Sequence, residues 1–145
     1  MHIAFTGTRQ GLNGCQRRKL LLELGALMPD FIAHHGQCIG ADQDIHQLCF
    51  WLDVPIIIHP PTDDKLTFAA GASALASTWR LPAPYLERNK QMIQECDLLL
   101  AFPKEDAEVN RSGTWATIRY AKKERIPVTV YLPKGRVLRV GGRLS

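Results

Sequence analysis

A chain of 145 residues that is 46% hydrophobic and 22% charged can bury one real core but is short for two ordinary domains. It has no apolar run long enough to cross a bilayer and enters strand-like sequence at once rather than a signal peptide, so a cytoplasmic location is expected. The net charge of +4 excludes less than it suggests. Lys134, Arg136, Arg139 and Arg143 sit in the last twelve residues, and taking those four from 18 basic residues leaves 14 against 14 acidic ones. A neutral body lacks the clustered charge of a polyanion-binding face, so nucleic acid is not an expected partner.

His2 to Thr6 reads as a first strand, followed by Gly7-Thr8-Arg9. From Gly14 to Met28 the spacing turns helical, with Leu20, Leu24 and Leu27 on one stripe, Leu21 and Met28 beside it, and Pro29-Asp30 as the stop. Phe31 to His35 is a second strand running into Gly36, and Ala41 to Leu52 a helix with Ile45, Leu48, Cys49 and Leu52 at i, i+3, i+4 and i+7. Pro55 to His59 is a third strand, rich in β-branched residues. The next stretch, up to Tyr85, is irregular; Leu66 to Ala76 is its candidate helix, and Pro82 and Pro84 force an extended exit. Tyr85 to Glu95 is helical, with Leu86, Lys90 and Ile93 on one line and Arg88, Gln91 and Glu95 on another.

Cys96 to Phe102 is a strand apolar enough to be buried on both faces. A polar loop from Lys104 to Arg111 leads to a helix from Gly113 to Lys123, and Pro127 to Leu132 is the fifth strand. Alternating strands and helices predict an α/β, Rossmann-like, doubly wound domain over 1–133, with a mainly parallel five-stranded sheet and helices on both faces. Residues 134–145 are then a basic C-terminal tail or an added edge segment. The four cysteines show no CxxC spacing and are expected to be reduced.

Three strand-to-helix turns carry glycine, and in an open parallel sheet all fall beyond the carboxyl ends of the strands, where ligands bind. In the first, Gly7 permits close backbone approach, Thr8 offers a hydroxyl and Arg9 a bidentate cation. In the second, Gly36 and Gly40 flank a loop whose amides can wrap a phosphate or ribose; Asp42 either bonds a sugar hydroxyl or favours the positive helix end. The third, Ser112-Gly113-Thr114, presents a hydroxyl and free amides at a helix start. Arg88, followed by Asn89, can reach across to that turn. His34, His35 and Cys38 are possible zinc ligands, but adjacent strand residues point to opposite faces, so no metal is expected from them. Asp63 and Asp64 could act as a base, and Trp79 and Trp115 could stack on a base ring; a solvated loop and a core or anchoring role are the alternatives.

The segments Phe5 to Arg9, His35 to Asp42, Tyr85 to Lys90, Cys96 to Pro103 and Ser112 to Trp115, in this order and spacing, resemble the SLOG superfamily (SMF/DprA and LOG). The likeness is greatest to its small stand-alone YspA/YpsA-related type. The resemblance implies a Rossmann-like fold, a nucleotide-derived ligand and homo-oligomerisation, with no cofactor. It places Arg88 on the catalytic Arg of the LOG phosphoribohydrolases and Gly113-Thr114 on their GT pair, but Thr117 where they carry a catalytic Glu. The eight-residue insert KEDAEVNR also separates Pro103 from Ser112. Threonine cannot serve as a carboxylate base. The expected function is therefore binding of a nucleotide or phosphoribosyl-type small molecule, as a sensor or sequestering module. The alternatives are LOG-like N-glycosidic hydrolysis with Glu105, Asp106, Glu108 or a loop acid in place of the missing Glu, and DprA-like binding of single-stranded nucleic acid.

Overall fold

The computed structural model describes residues 1–70 and 77–141. In chain order these hold β1 (His2–Gly7), α1 (Gly14–Leu27), β2 (Ile32–His35), α2 (Ala41–Trp51), β3 (Ile56–Ile58), β4 (Ser77–Trp79), α3 (Tyr85–Gln94), β5 (Leu98–Phe102), α4 (Gly113–Lys123), β6 (Val128–Tyr131) and β7 (Val137–Val140). All seven strands share one sheet, ordered β4-β3-β2-β1-β5-β6-β7. Every pairing is parallel except β6 with β7.

The sheet thus has seven strands rather than the expected five. β4 pairs with β3 residue for residue, but Ser77-Thr78-Trp79 lacks the apolar run that marks the equally short β3. β7 lies in the stretch expected to be a basic tail or an added edge segment, and it is an edge strand: Arg139 stands opposite Thr129 while Val137 and Val140 pair with Tyr131 and Val128. The helix expected from Leu66 does not form over Leu66–Ala70. Thr67 bridges Cys38, the Ile39 amide donates to the Leu66 carbonyl and the Phe68 amide to that of Gln37. Phe68 and Ala70 are buried there, so tertiary contacts hold this segment extended against the second glycine turn. Residues 71–76 of that expected helix lie outside the described residues.

Strand alternation sorts the core into two faces. Ile3, Phe5, Leu100 and Phe102 pack with Leu20 and Leu24 of α1 and Ile45 and Cys49 of α2. Ala4, Leu99, Ala101, Val128 and Val130 pack with Met92 and Ile93 of α3 and Trp115, Ile118 and Ala121 of α4. Full burial of a leucine such as Leu20 or Leu24 contributes roughly 1.5–3 kcal/mol. The inner face of α3 differs from the expected stripes: Arg88, Met92 and Ile93 are buried, whereas Leu86 is exposed. Arg88 can turn inward because backbone carbonyls wait beneath it.

β1 sits mid-sheet, with β2 and β3 on one side and β5 and β6 on the other. The chain reverses its lateral direction between β1 and β5, which opens a crevice above their C-terminal ends. Among the described residues, no helix is long and apolar enough to cross a membrane.

Candidate functional site

A cleft of about 440 Å³ lies at that reversal. Its walls are Phe5 to Gln10 at the end of β1, Gly36, Cys38 and Asp42 after β2, Tyr85, Leu86, Arg88, Asn89 and Met92 of α3, and Lys104, Glu105 and Arg111 to Thr114 after β5. Of the residues expected at a site, Gly7, Thr8, Arg9, Gly36, Asp42, Arg88, Asn89, Ser112, Gly113 and Thr114 line this one cavity.

Gly40 is not on the wall. It stands behind it at φ 90°, where a Cβ would collide with the backbone of Thr8 and Arg9. The adjoining Ala41 amide donates to the Thr8 carbonyl at 2.9 Å. Gly40 therefore clamps the first turn to the second. Gly7 has a similar task, since a Cβ there would come within 2.5 Å of the Ala41 Cβ and 3.0 Å of the Phe102 carbonyl. These glycines allow three chain segments to approach closely enough to share a rim.

Arg88 departs further from its expected role. It is 4% exposed, and its guanidinium donates to the carbonyls of Gly36 and His59 and, through Nε, to Asn89 Oδ1 at 2.7 Å. It braces the second turn from α3 instead of reaching across to Ser112. A methyl on Gly36 would collide with this guanidinium, so the glycine makes room for the brace. Asp42 serves the same turn: its Oδ2 accepts from the amides of Gly36 and Cys38, both at 3.1 Å. Burial is the main influence on its carboxyl and pushes it up to about 6, against the pull of Arg88 and those two amides. Burial, then Asp42, also raises the Cys38 thiol, which keeps it protonated rather than nucleophilic.

The third turn is open. Ser112 caps α4, its Oγ accepting from the Trp115 amide at 3.2 Å, while the Ala116 amide bonds the Ser112 carbonyl. Helix geometry leaves the Gly113 and Thr114 amides without intrahelical acceptors, at the positive end of the α4 dipole. A Cβ on Gly113 would meet nothing within 4 Å, consistent with an open rim. Thr117, at the position of the family Glu, is buried and donates its hydroxyl to the Gly113 carbonyl at 2.9 Å. It does not line the cleft. Of the acids considered as substitutes, Glu105 is on the wall, held by the Trp115 indole N–H at 3.1 Å, while Glu108 pairs with Arg119 at 2.8 Å. Neither Asp106, Asp63 nor Asp64 lines the cavity.

Among the wall residues that the sequence reading passed over are two cations and an aromatic ring. Lys104 and Arg111, at the two ends of the insert, are exposed cations beside the α4 amides. Their flanking position around the insert was the available signal. Tyr85 contributes an aromatic ring, with the Arg88 guanidinium 5.4 Å from its centroid and its hydroxyl donating to the Asp63 carbonyl at 3.1 Å. Trp79 and Trp115, the stacking candidates, do not line the cleft: Trp115 is core and Trp79 lies on the edge strand β4.

The fold and the crevice define a Rossmann-like α/β protein whose three βα turns open on one cavity. No protein-family model matches the chain, and no curated protein matches it significantly. Solved structures do share its architecture. The molybdenum cofactor binding protein from the phototrophic bacterium Rippkaea orientalis superposes with a TM-score of 0.67 at 15% identity, covering 90% of this chain and 76% of that one. The structural-genomics target TM1055 gives a TM-score of 0.62 at 16% identity, covering 88% and 71%. At these identities the likeness is one of fold, and it does not single out the YspA/YpsA-related type.

Proposed function

We propose that the chain binds a nucleotide or phosphoribosyl-type small molecule in this cleft, as a sensor or sequestering module. The observation that carries the reading is the α4 terminus: two partnerless amides and a capping hydroxyl beside the exposed cations Arg9, Lys104 and Arg111. Amides at a helix start favour an anion, and the nearby guanidinium groups suit phosphate geometry. The opposite wall, with Tyr85, Leu86 and Met92, offers apolar and aromatic surface for a sugar and base.

Calorimetric titration with nucleoside monophosphates, and with the matching nucleosides, tests it. The monophosphates bind and the nucleosides bind much more weakly. Arg111→Ala lowers affinity by about tenfold, the usual effect of losing one charge-assisted bond. Equal binding of nucleoside and monophosphate would remove the phosphate reading.

The hydrolase reading rests on Glu105, a carboxylate on the wall. Against it, Arg88 is committed to protein carbonyls and Thr117 is turned into its own helix. Release of free base from a nucleoside monophosphate, lost in Glu105→Gln, would favour hydrolysis over sequestration.

A further inference from the structure

All five histidines of the chain are hydrogen-bonded to another histidine, in two groups on opposite faces of β2. His35 and His46 pack against Phe68 on the α2 side. The other group runs beneath α3. His2 Nδ1 lies 2.8 Å from His34 Nε2, His34 Nδ1 lies 2.8 Å from His59 Nε2, and His59 Nε2 lies 3.4 Å from Glu95 Oε2. His34 and His59 are essentially inaccessible, whereas the Glu95 side chain is 34% exposed. None of the three lines the cleft.

Neutral imidazole carries one N–H and one lone pair. His34 Nδ1, His59 Nε2 and a Glu95 carboxylate oxygen lie within 4.8 Å of one another, with Arg80 serving the carboxylate from its other side. The 2.8 Å contact between the two rings takes one hydrogen, which points from one ring nitrogen to the other and leaves none directed at Glu95 from His59 Nε2. A cation in place of that hydrogen engages all three.

We propose that His34 Nδ1, His59 Nε2 and Glu95 form a binding site for a divalent transition metal of the zinc class, with solvent in the fourth position on the exposed Glu95 side. Two imidazoles with one carboxylate suit zinc rather than magnesium or calcium, which take oxygen ligands. Tetrahedral bonds of about 2.05 Å put ligand atoms about 3.3 Å apart. The His59–Glu95 separation already meets that, and the His34–His59 contact opens by about half an ångström.

The outer shell is in place. With His34 Nδ1 on the ion, its Nε2–H donates to His2 Nδ1, and the Arg80 guanidinium holds both Glu95 oxygens, Nη2 to Oε1 at 2.6 Å and Nε to Oε2 at 3.2 Å. The charged and titratable groups facing the site are His2 from β1, Arg80 after β4, and Arg88 from α3. Burial is the main influence and lowers both rings to about 4, with Glu95 opposing it and Arg80 adding to it, which leaves neutral imidazoles of the kind a metal needs.

The test is calorimetric titration of the nucleotide-free full chain with zinc chloride near neutral pH, with cobalt(II) as a spectroscopic substitute. One ion binds per chain, and His34→Asn and Glu95→Gln each weaken it by at least about tenfold, the range found even for lost outer-shell partners. The cobalt form shows tetrahedral visible bands without thiolate charge transfer, which separates this site from the four cysteines. Should His34→Asn fail to fold, the part-exposed Glu95→Gln decides alone. No bound ion, an affinity unchanged in Glu95→Gln, or a thiolate band overturns the proposal. None of these readouts involves a phosphate ligand, so either reading can fail without the other.

Discussion

Asp42 shows how one buried carboxylate ties the cleft rim to pH. Its folded-state value of about 6 lies above the ordinary 3.8, so between those limits the folded chain holds a proton that the unfolded chain has released. Stability therefore rises through this group as pH falls from about 6 to 4, and the penalty of a buried charge is fully present above that window. Asparagine can accept the same two amide hydrogens without titrating. Denaturation across this range should show wild type gaining on Asp42→Asn as pH falls, by on the order of 3 kcal/mol in total. A constant difference would mean that Asp42 titrates normally. The glycines divide just as sharply. Gly40→Ala meets both a positive φ and backbone contact and should cost more than about 2 kcal/mol, whereas Gly113→Ala enters open space and should change stability by less than about 1.

At the scale of elements, α1 connects the sheet to the third turn. Asn13 and Gln16 form a capping box: the Gln16 amide donates to Asn13 Oδ1 at 2.9 Å and the Asn13 amide to Gln16 Oε1 at 3.1 Å. The remaining donor group, Gln16 Nε2, bonds the carbonyls of Pro103 and Tyr131, both at 2.9 Å, where β5 and β6 end. Asn13 Nδ2 adds the Pro133 carbonyl at 2.8 Å. Gln16→Ala should leave two carbonyls unpaired and lose half the box, lowering urea stability by about 2–4 kcal/mol. Asn13→Ala should cost about 1 kcal/mol. Equal losses would mean that the buried amide adds nothing beyond capping. The helical period marked Leu20 and Leu24 as inward-facing, but it carried no sign that Gln16 faces inward with them.

For the whole molecule, β7 closes one edge of the sheet. Antiparallel pairing covers β6, whose residues are all buried, and the Leu132 amide bonds the Arg136 carbonyl to make the turn. A chain ending at Arg136 would expose the unpaired β6 backbone beside a hydrophobic strand. It should melt at a lower temperature than the full chain and associate with rising concentration, as read by light scattering. A truncated chain that stays monomeric and equally stable would make β7 dispensable.

The order of helices and five of the strands were legible because the helices are long enough to show their period and those strands lie in mainly apolar, β-branched runs, and glycine marked the turns where chain segments crowd. The rim residues Thr8, Asp42, Ser112 and Gly113 followed from that grammar, since parallel connections place every such turn at one sheet edge. Other features required the folded chain. β4 has no apolar run to mark it, and only the pairing with β6 decides that the basic end forms an edge strand rather than a tail. Arg88 found carbonyls just past the ends of β2 and β3 that only packing brings beneath α3. The His34–His59–Glu95 junction joins residues 25 and 36 positions apart in sequence, so no local spacing announces it. Local periodicity determines which elements form. The lone pairs, cations and cavities that meet between them depend on the angles at which those elements pack.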